Sequence, residues 1–302
     1  MEIIDFSSWE EYSGNSMGSG RSEKIWLTSN NLIGLFKFPK QNKDGKITYE
    51  HISEKLAYDI AIILKIPCAR IDIGTYNGRY GSMSYCINKE NEELREGIAF
   101  ISEIYENYDI DKMVDLENDI YYSLQMIFPI AKKLKCEQEL MQMIIFDALI
   151  GNTDRHHSNW AMLKSANYGY KFSPLYDNGS SLCCYISEAD IDDILGKDTR
   201  RFRALVTTKS KSRIRIDKSK KKEPMFIDVL KYLFSSDKYR IYCKSIVKEI
   251  IMQMTENNIK KILNNYPNDL LSDKRKKLIL KFLVERVKTI KTLFESGGEI
   301  NV

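Results

Sequence analysis

The chain has 302 residues, 43% of them hydrophobic and 29% charged, with 46 basic against 42 acidic side chains and a net charge of +4. A globule of this length hides about 75% of its unfolded surface and needs neither disulfide nor metal to hold a core. That composition excludes disorder over the whole chain, and the charge balance is too weak to imply nucleic acid or membrane binding by itself.

In chain order, Ser13–Ser22 is a Gly/Ser loop, followed by two β-like runs, Lys24–Thr28 and Leu32–Phe38, joined by the turn signal Ser29-Asn30-Asn31. After the polar loop Gln41–Lys46, Tyr49–Lys65 reads as a helix with Ile52, Leu56, Ile60, Ile63 and Leu64 on one stripe, stopping before Pro67. Two strands follow, Ala69–Tyr76 and Arg79–Ile87, around the hairpin signal Asn77-Gly78. From about Leu116 the spacing predicts mainly helices. Glu137–Ile150 is apolar almost all round, which marks a buried helix ended by Gly151. Tyr170–Tyr176 is a candidate short strand, and Thr207–Glu223, with eight basic residues, an exposed loop. Phe226–Phe294 reads as three or four helices. The expectation is an α+β, two-lobed fold: a β-rich lobe over residues 1–88 with one helix, and a larger helical lobe over residues 89–302.

The six cysteines show no C-x-x-C spacing and read as free thiols, and with three histidines they argue against a zinc quartet. Met1-Glu-Ile-Ile-Asp5 lacks the basic and apolar regions of a secretory leader, and the longest apolar stretch, Leu140–Ile150, is too short to span a bilayer. A cytoplasmic protein without an integral membrane segment is expected, with export as an effector lacking a cleaved signal as the open alternative.

Chemistry concentrates in Gly151-Asn-Thr-Asp-Arg-His-His-Ser-Asn-Trp160 and Phe172-Ser-Pro-Leu-Tyr-Asp-Asn-Gly-Ser180. Asp154 precedes the carboxamide of Asn159 by five positions, and Asp177 is followed two residues later by Gly179. Phosphoryl transfer needs this set: one carboxylate to orient the nucleophile, plus an amide oxygen and a second carboxylate to hold Mg2+ on the phosphates of ATP. Lys37 sits in an otherwise apolar strand, where reaching the phosphates and pairing with a helix glutamate, best Glu54, accounts for it. Backbone N–H groups of the Gly14–Gly20 loop, including Gly18, Ser19 and Gly20, are the expected cover for the phosphates.

These residues resemble the HipA-like kinases, whose N-x-D-x-H-x-x-N signature is matched by Asn152, Asp154, His156 and Asn159. Within that group the chain is most similar to the compact CtkA-like bacterial kinases, and Asp154-Arg-His-x-x-Asn159 also resembles the catalytic loop of phosphoinositide 3-/4-kinases. The resemblance implies a serine/threonine protein kinase in which Asp154 serves the acceptor hydroxyl, Asn159 and Asp177 ligate Mg2+, and Lys37, fixed by Glu54, holds ATP. It further implies a hinge at Ser84–Asn88, with Tyr85, Cys86 and Ile87, reading adenine through its backbone. Where HipA toxins often carry a lysine before the metal-binding Asn, this chain has Ser158; His156 and Arg155 are the nearby candidate cations. Against the longer HipA proteins, which engage a DNA-binding antitoxin through an extra N-terminal subdomain, a chain of this length is expected to lack that subdomain, so a toxin–antitoxin role is not expected.

The basic run Lys209–Lys222 has no aromatic to stack a base, so a solvated face is expected rather than a nucleic-acid site. His157 is expected at the surface, and Trp160 in the core. Ser13, Ser16, Ser19 and Ser22 are candidate autophosphorylation sites, since phosphate there would repel nucleotide. A protein acceptor, the chain itself among the candidates, is the expected partner. A lipid kinase and a nucleotide-binding pseudokinase acting as a binding module are the alternatives.

Overall fold

The computed structural model describes residues 1–13, 23–41, 45 and 47–298, so Ser16, Gly18, Ser19, Gly20 and Ser22 lie outside the described residues. The N-terminal part is a six-stranded sheet. Strands β1 (Ile4–Asp5), β2 (Glu10–Glu11), β3 (Lys24–Ser29) and β4 (Leu32–Lys37) precede helix α1 (Glu50–Ile63), and β5 (Ile71–Tyr76) and β6 (Arg79–Tyr85) follow it. The order is β1-β5-β6-β4-β3-β2, antiparallel except for β1 on β5. Asn77 and Gly78 both have positive φ (50° and 76°), the primed turn that matches the right-handed twist of the flanking strands. α1 lays Ile52, Leu56 and Ile60 into the main core, and Phe6, Leu27, Phe36 and Met83 close a smaller apolar cluster.

The remainder is built on helices. β7 (Glu93–Glu96), α2 (Gly97–Ser102), the small meander β8 (Tyr108–Asp109), β9 (Val114–Asp115) and β10 (Ile120–Tyr121), α3 (Leu124–Leu134) and α4 (Glu137–Ile150) come first. Then follow β11 (Ala161–Ser165), β12 (Gly169–Phe172), α5 (Ile191–Leu195), α6 (Thr199–Val206), α7 (Phe226–Ser235), α8 (Asp237–Gln253), α9 (Glu256–Asn264) and α10 (Asp273–Glu295). α4 is buried from Leu140 to Ile150 except for Gln142, as its unbroken apolar character requires. Gly151 caps it at φ +68°, where a Cβ would meet the Phe282 ring at 2.8 Å.

Three sequence expectations need correction. A second sheet, β12-β11-β7, stands in the part read as mainly helical. Its strands are too short and too charged (Glu-Leu-Arg-Glu in β7) to show a period, and ladder pairing decides them. The expected strand Tyr170–Tyr176 shortens to Gly169–Phe172, beyond which Leu175 turns to bridge Cys68. Thr207–Glu223, outside α6, is irregular as expected but not exposed: Ser210, Ser212, Ile214 and Arg215 are buried. All six cysteines are free, and among the described residues no helix is long and apolar enough to cross a membrane.

Candidate active site

The site begins where α4 ends. Asp147, buried in the last turns of that helix, receives two hydrogen bonds from Arg155, Nε to Oδ2 at 2.9 Å and Nη2 to Oδ1 at 2.8 Å, and a third from Asn152 Nδ2 at 3.0 Å. Arg155 Nη1 also donates to the Asn159 and Tyr176 carbonyls, and Nη2 to Asn178 Oδ1. One fully buried guanidinium thus ties helix end, Asp154 loop and Asp177 loop together. Asn152 Oδ1 accepts from the Asp154 N–H at 3.2 Å, and the Asp154 carbonyl accepts from His156 N–H and Asn159 Nδ2 at 2.8 and 2.7 Å. The Asp154 backbone is held while its carboxylate stays 41% exposed. Burial pushes that carboxyl above the usual aspartate value, against the pull of His156 and Arg213.

Asp177 comes from the strand side. Leu175 N–H donates to the Pro67 carbonyl and Ala69 N–H to the Leu175 carbonyl, each at 2.8 Å, so the segment is stitched beneath the N-terminal sheet. Asp177 has φ +54°, a left-handed conformation that aspartate tolerates better than most residues. A Cβ at Gly179 would meet the Glu50 carbonyl at 3.1 Å, a close approach of this loop to the start of α1.

Lys37, at the end of β4, reaches both sides. Its Nζ donates to Glu54 Oε1 and to Asp177 Oδ1, each at 2.9 Å. Burial alone would lower the Lys37 pKa, but Asp177 and Glu54 outweigh it and hold the ammonium protonated. The Lys37 charge in turn holds Asp177 down, at about 2. Lys37, Glu54 and Asp177 thus meet at one point, with Asp154 and Asn159 on the adjoining loop.

Other expectations fall differently. Arg155 is 1% exposed with its guanidinium turned onto Asp147, so it offers no cation to a transferred group; its place beside Asp154 in the chain says nothing of its side chain's direction. His157 is buried rather than at the surface, its Nδ1 sharing a 3.2 Å hydrogen bond with the Tyr108 hydroxyl and its pKa lowered by burial to about 4. In the expected hinge, the N–H groups of Tyr85 and Cys86 already donate to the Arg70 and Ile33 carbonyls at 3.0 and 2.9 Å. Of the three, Ile87 alone has an amide without a backbone partner among the described residues. His156 Nδ1 accepts from the Ser158 N–H at 3.2 Å.

Three cations escaped the sequence reading. Lys24 lies directly across the ladder from Lys37, and burial and the Lys37 charge lower its pKa. Lys40 donates to Glu50 Oε1 at 3.0 Å; burial lowers it, but Glu50 more than compensates, and Asp177 and Asp154 add to the rise. Arg213 Nε stands 3.7 Å from Asp154 Oδ1. The Lys24 position was legible in principle, since a hairpin with a known turn fixes cross-strand partners; nothing local marked Lys40 or Arg213. A surface depression lined by Glu90, Glu92, Lys164 and Ser165 shares no residue with this set.

Residues 19–257 match the model of the HipA-like C-terminal domain. The chain is 26% identical over 291 residues to the serine/threonine-protein kinase CtkA of Helicobacter pylori strain J99, covering 95% of this chain and 86% of that protein. Its fold is that of the crystal structure of the H. pylori proinflammatory kinase CtkA, with a TM-score of 0.80 and 22% identity over 98% of both chains. It also resembles HipA of Shewanella oneidensis MR-1, solved with HipB and operator DNA, at a TM-score of 0.59 and 14% identity over 96% of this chain and 69% of that one.

Proposed function

The chain belongs to the family of HipA-like C-terminal domains, and from that premise we propose that it is a serine/threonine protein kinase using ATP and Mg2+, with itself among its substrates. The lobes divide near Asn88 in this reading, and the observation that carries it is Lys37, paired at 2.9 Å with both Glu54 and Asp177. A half-buried lysine so held is a fixed positive charge for nucleotide phosphates.

The donor set fits Mg2+. Asn159 commits its amide nitrogen to the Asp154 carbonyl, which leaves its oxygen as the ligating end, and Asp177, with its pKa held at about 2, is ionised throughout the physiological range. One carboxylate and one amide oxygen are hard donors of the kind Mg2+ takes when phosphates and water complete its shell. Bound there, Mg2+ supplies charge neutralisation on the phosphates. Lys37 orients them, and the Ile87 amide meets the adenine edge. Asp154, half exposed on a rigid loop, accepts the proton of the acceptor hydroxyl, a role worth roughly 10²–10⁴-fold in rate.

The test is the intact mass of the purified protein before and after incubation with MgATP, beside Asp154→Ala and Asp177→Ala. Gains in phosphate steps for the wild type alone are expected, with Mg2+-dependent nucleotide affinity lost in Asp177→Ala and kept in Asp154→Ala. Thermal stabilisation by MgATP without any mass gain, on the chain or on an added protein acceptor, would point to a binding module instead. Phosphosite mapping decides whether Ser13, exposed at the edge of the described residues, and Ser16, Ser19 and Ser22 are acceptors.

A further inference from the structure

The loop that carries Asp154 offers no free cation of its own to the charge that develops on a transferred phosphoryl group. Arg155 is turned inward, and His156 is engaged with the Ser158 N–H. We propose that Arg213 is the missing catalytic cation, delivered to the Asp154 carboxylate by the irregular segment ahead of α7.

Its placement is built. On one side Lys211 bridges to Met225 and Ser212 N–H donates to the Pro224 carbonyl at 2.9 Å. On the other, buried Ile214 donates its N–H to Ser212 Oγ at 3.1 Å, while Arg215 N–H and carbonyl bond to Tyr122 and Leu124 at 3.2 and 2.7 Å. The backbone of Arg213 is therefore clamped from both ends. Its side chain is steered by Glu223, whose Oε1 accepts from Nη1 at 2.7 Å.

What remains is a donor without an acceptor. Arg213 Nε is buried and makes no hydrogen bond among the described residues, and at 3.7 Å its approach to Asp154 Oδ1 is an ion pair rather than a hydrogen bond. A guanidinium offers five donors in a rigid fork suited to phosphate oxygens. Lys40, the rival, sits on the N-terminal side, with its ammonium already donating to Glu50 at 3.0 Å.

The inference rests on the kinase reading. In the step it serves, the acceptor oxygen forms a bond to the γ-phosphorus as the bond from that phosphorus to the bridging oxygen breaks. The broken bond's electron pair leaves with ADP, and the hydroxyl proton passes to Asp154. Arg213, beside the Asp154 carboxylate, would serve the equatorial oxygens, where charge is spread in the transition state.

The experiment compares wild type, Arg213→Ala and Arg213→Lys in three readouts: MgATP affinity, affinity for MgADP with aluminium fluoride, and kcat. For Arg213→Ala, kcat falls about 10²–10³-fold, as for loss of one transition-state donor. Aluminium fluoride complex affinity falls in parallel, MgATP affinity stays within about threefold, and added guanidinium restores part of the rate. Arg213→Lys, a point charge without the fork, recovers only part. A kcat within about threefold of wild type overturns the proposal. So does a loss confined to the KM of the protein acceptor, which would make Arg213 a reader of acidic acceptor side chains. Equal losses of MgATP and analogue affinity assign it to ground-state binding and also overturn it. A wild type that binds MgATP but transfers phosphate to no acceptor overturns this inference together with the reading beneath it.

Discussion

His157 and Arg155 show how far a residue's chemistry departs from its neighbours in the string. Both lie between Asp154 and Asn159, yet both are buried and serve the loop from beneath. His157 is packed edge-on against Tyr108 and Tyr122, and its carbonyl accepts from the Ile98 N–H at 3.0 Å. Its folded pKa of about 4 lies below the ordinary histidine value of 6.5. The unfolded chain therefore binds the extra proton first, and stability is full above pH 6.5 and falls as pH drops toward 4. Such a group removes about 2 kcal/mol between pH 7 and pH 5. Urea unfolding at the two pH values should show this loss in the wild type and a smaller one in His157→Gln; an equal loss in both would place the acid sensitivity elsewhere, with His51, also lowered to about 4 by burial, the next residue to change. At this scale the sequence made legible those side chains whose type conflicts with their surroundings. Lys37 in an apolar strand and Glu54 off the apolar stripe of its helix are of that kind, and they do meet. Arg213 conflicted with nothing in a basic run, and its approach to Asp154 depends on tertiary contacts no local pattern encodes.

Glycines separate what turns require from what packing requires. Gly78 and Gly151 both have positive φ, 76° and 68°, but a Cβ at Gly78 meets nothing within 4 Å, whereas at Gly151 it would come within 2.8 Å of the Phe282 ring on α10. Gly78→Ala should cost only the left-handed strain, about 1–2 kcal/mol. Gly151→Ala adds displacement of a buried ring, for about 2–4 kcal/mol in total. Chemical denaturation measures the difference, and equal costs would mean that α10 gives way freely at this contact. Because Asn152 N–H bonds back to the Asp147 carbonyl at 2.9 Å, the same cap sets the register of the Asp154 loop, so Gly151→Ala should also slow any reaction run by Asp154. Long elements with strong periods, α4 and the β5–β6 hairpin, were legible nearly to the residue. β7 and β11 were not, since a four-residue charged strand exists only because its partner does, and Ser210–Arg215 looked solvated because its basic residues outnumber the apolar ones that anchor it.

Across the molecule the two lobes are joined by charge as well as by the chain. Lys37 on the sheet reaches Asp177 below it, and a second junction lies where α10 meets the start of α1. Arg275, 1% exposed, donates from Nε to Glu188 Oε1 at 2.7 Å and from Nη2 to the Ile186 carbonyl at 2.6 Å. Its guanidinium stacks 3.5 Å from the centre of the Tyr49 ring, while Tyr49 N–H donates to the Cys184 carbonyl at 3.0 Å. A C-terminal helix thus holds both the segment that follows Asp177 and the first turn of the helix that carries Glu54. Arg275→Met takes a buried guanidinium from a half-buried carboxylate and strands the Cys183 and Ile186 carbonyls, so it should lower stability by about 3 kcal/mol. Arg200→Met, which removes an exposed pair with Asp198, should change stability by less than about 1 kcal/mol. If the junction works as the contacts say, amide exchange in Arg275→Met rises together in residues 183–188 and in the first turn of α1, and nucleotide binding weakens as Glu54 and Asp177 lose their common frame. Exchange rising in residues 183–188 alone would show that Lys37 and the strand pairing around Leu175 suffice to hold the lobes, leaving Arg275 as a local brace.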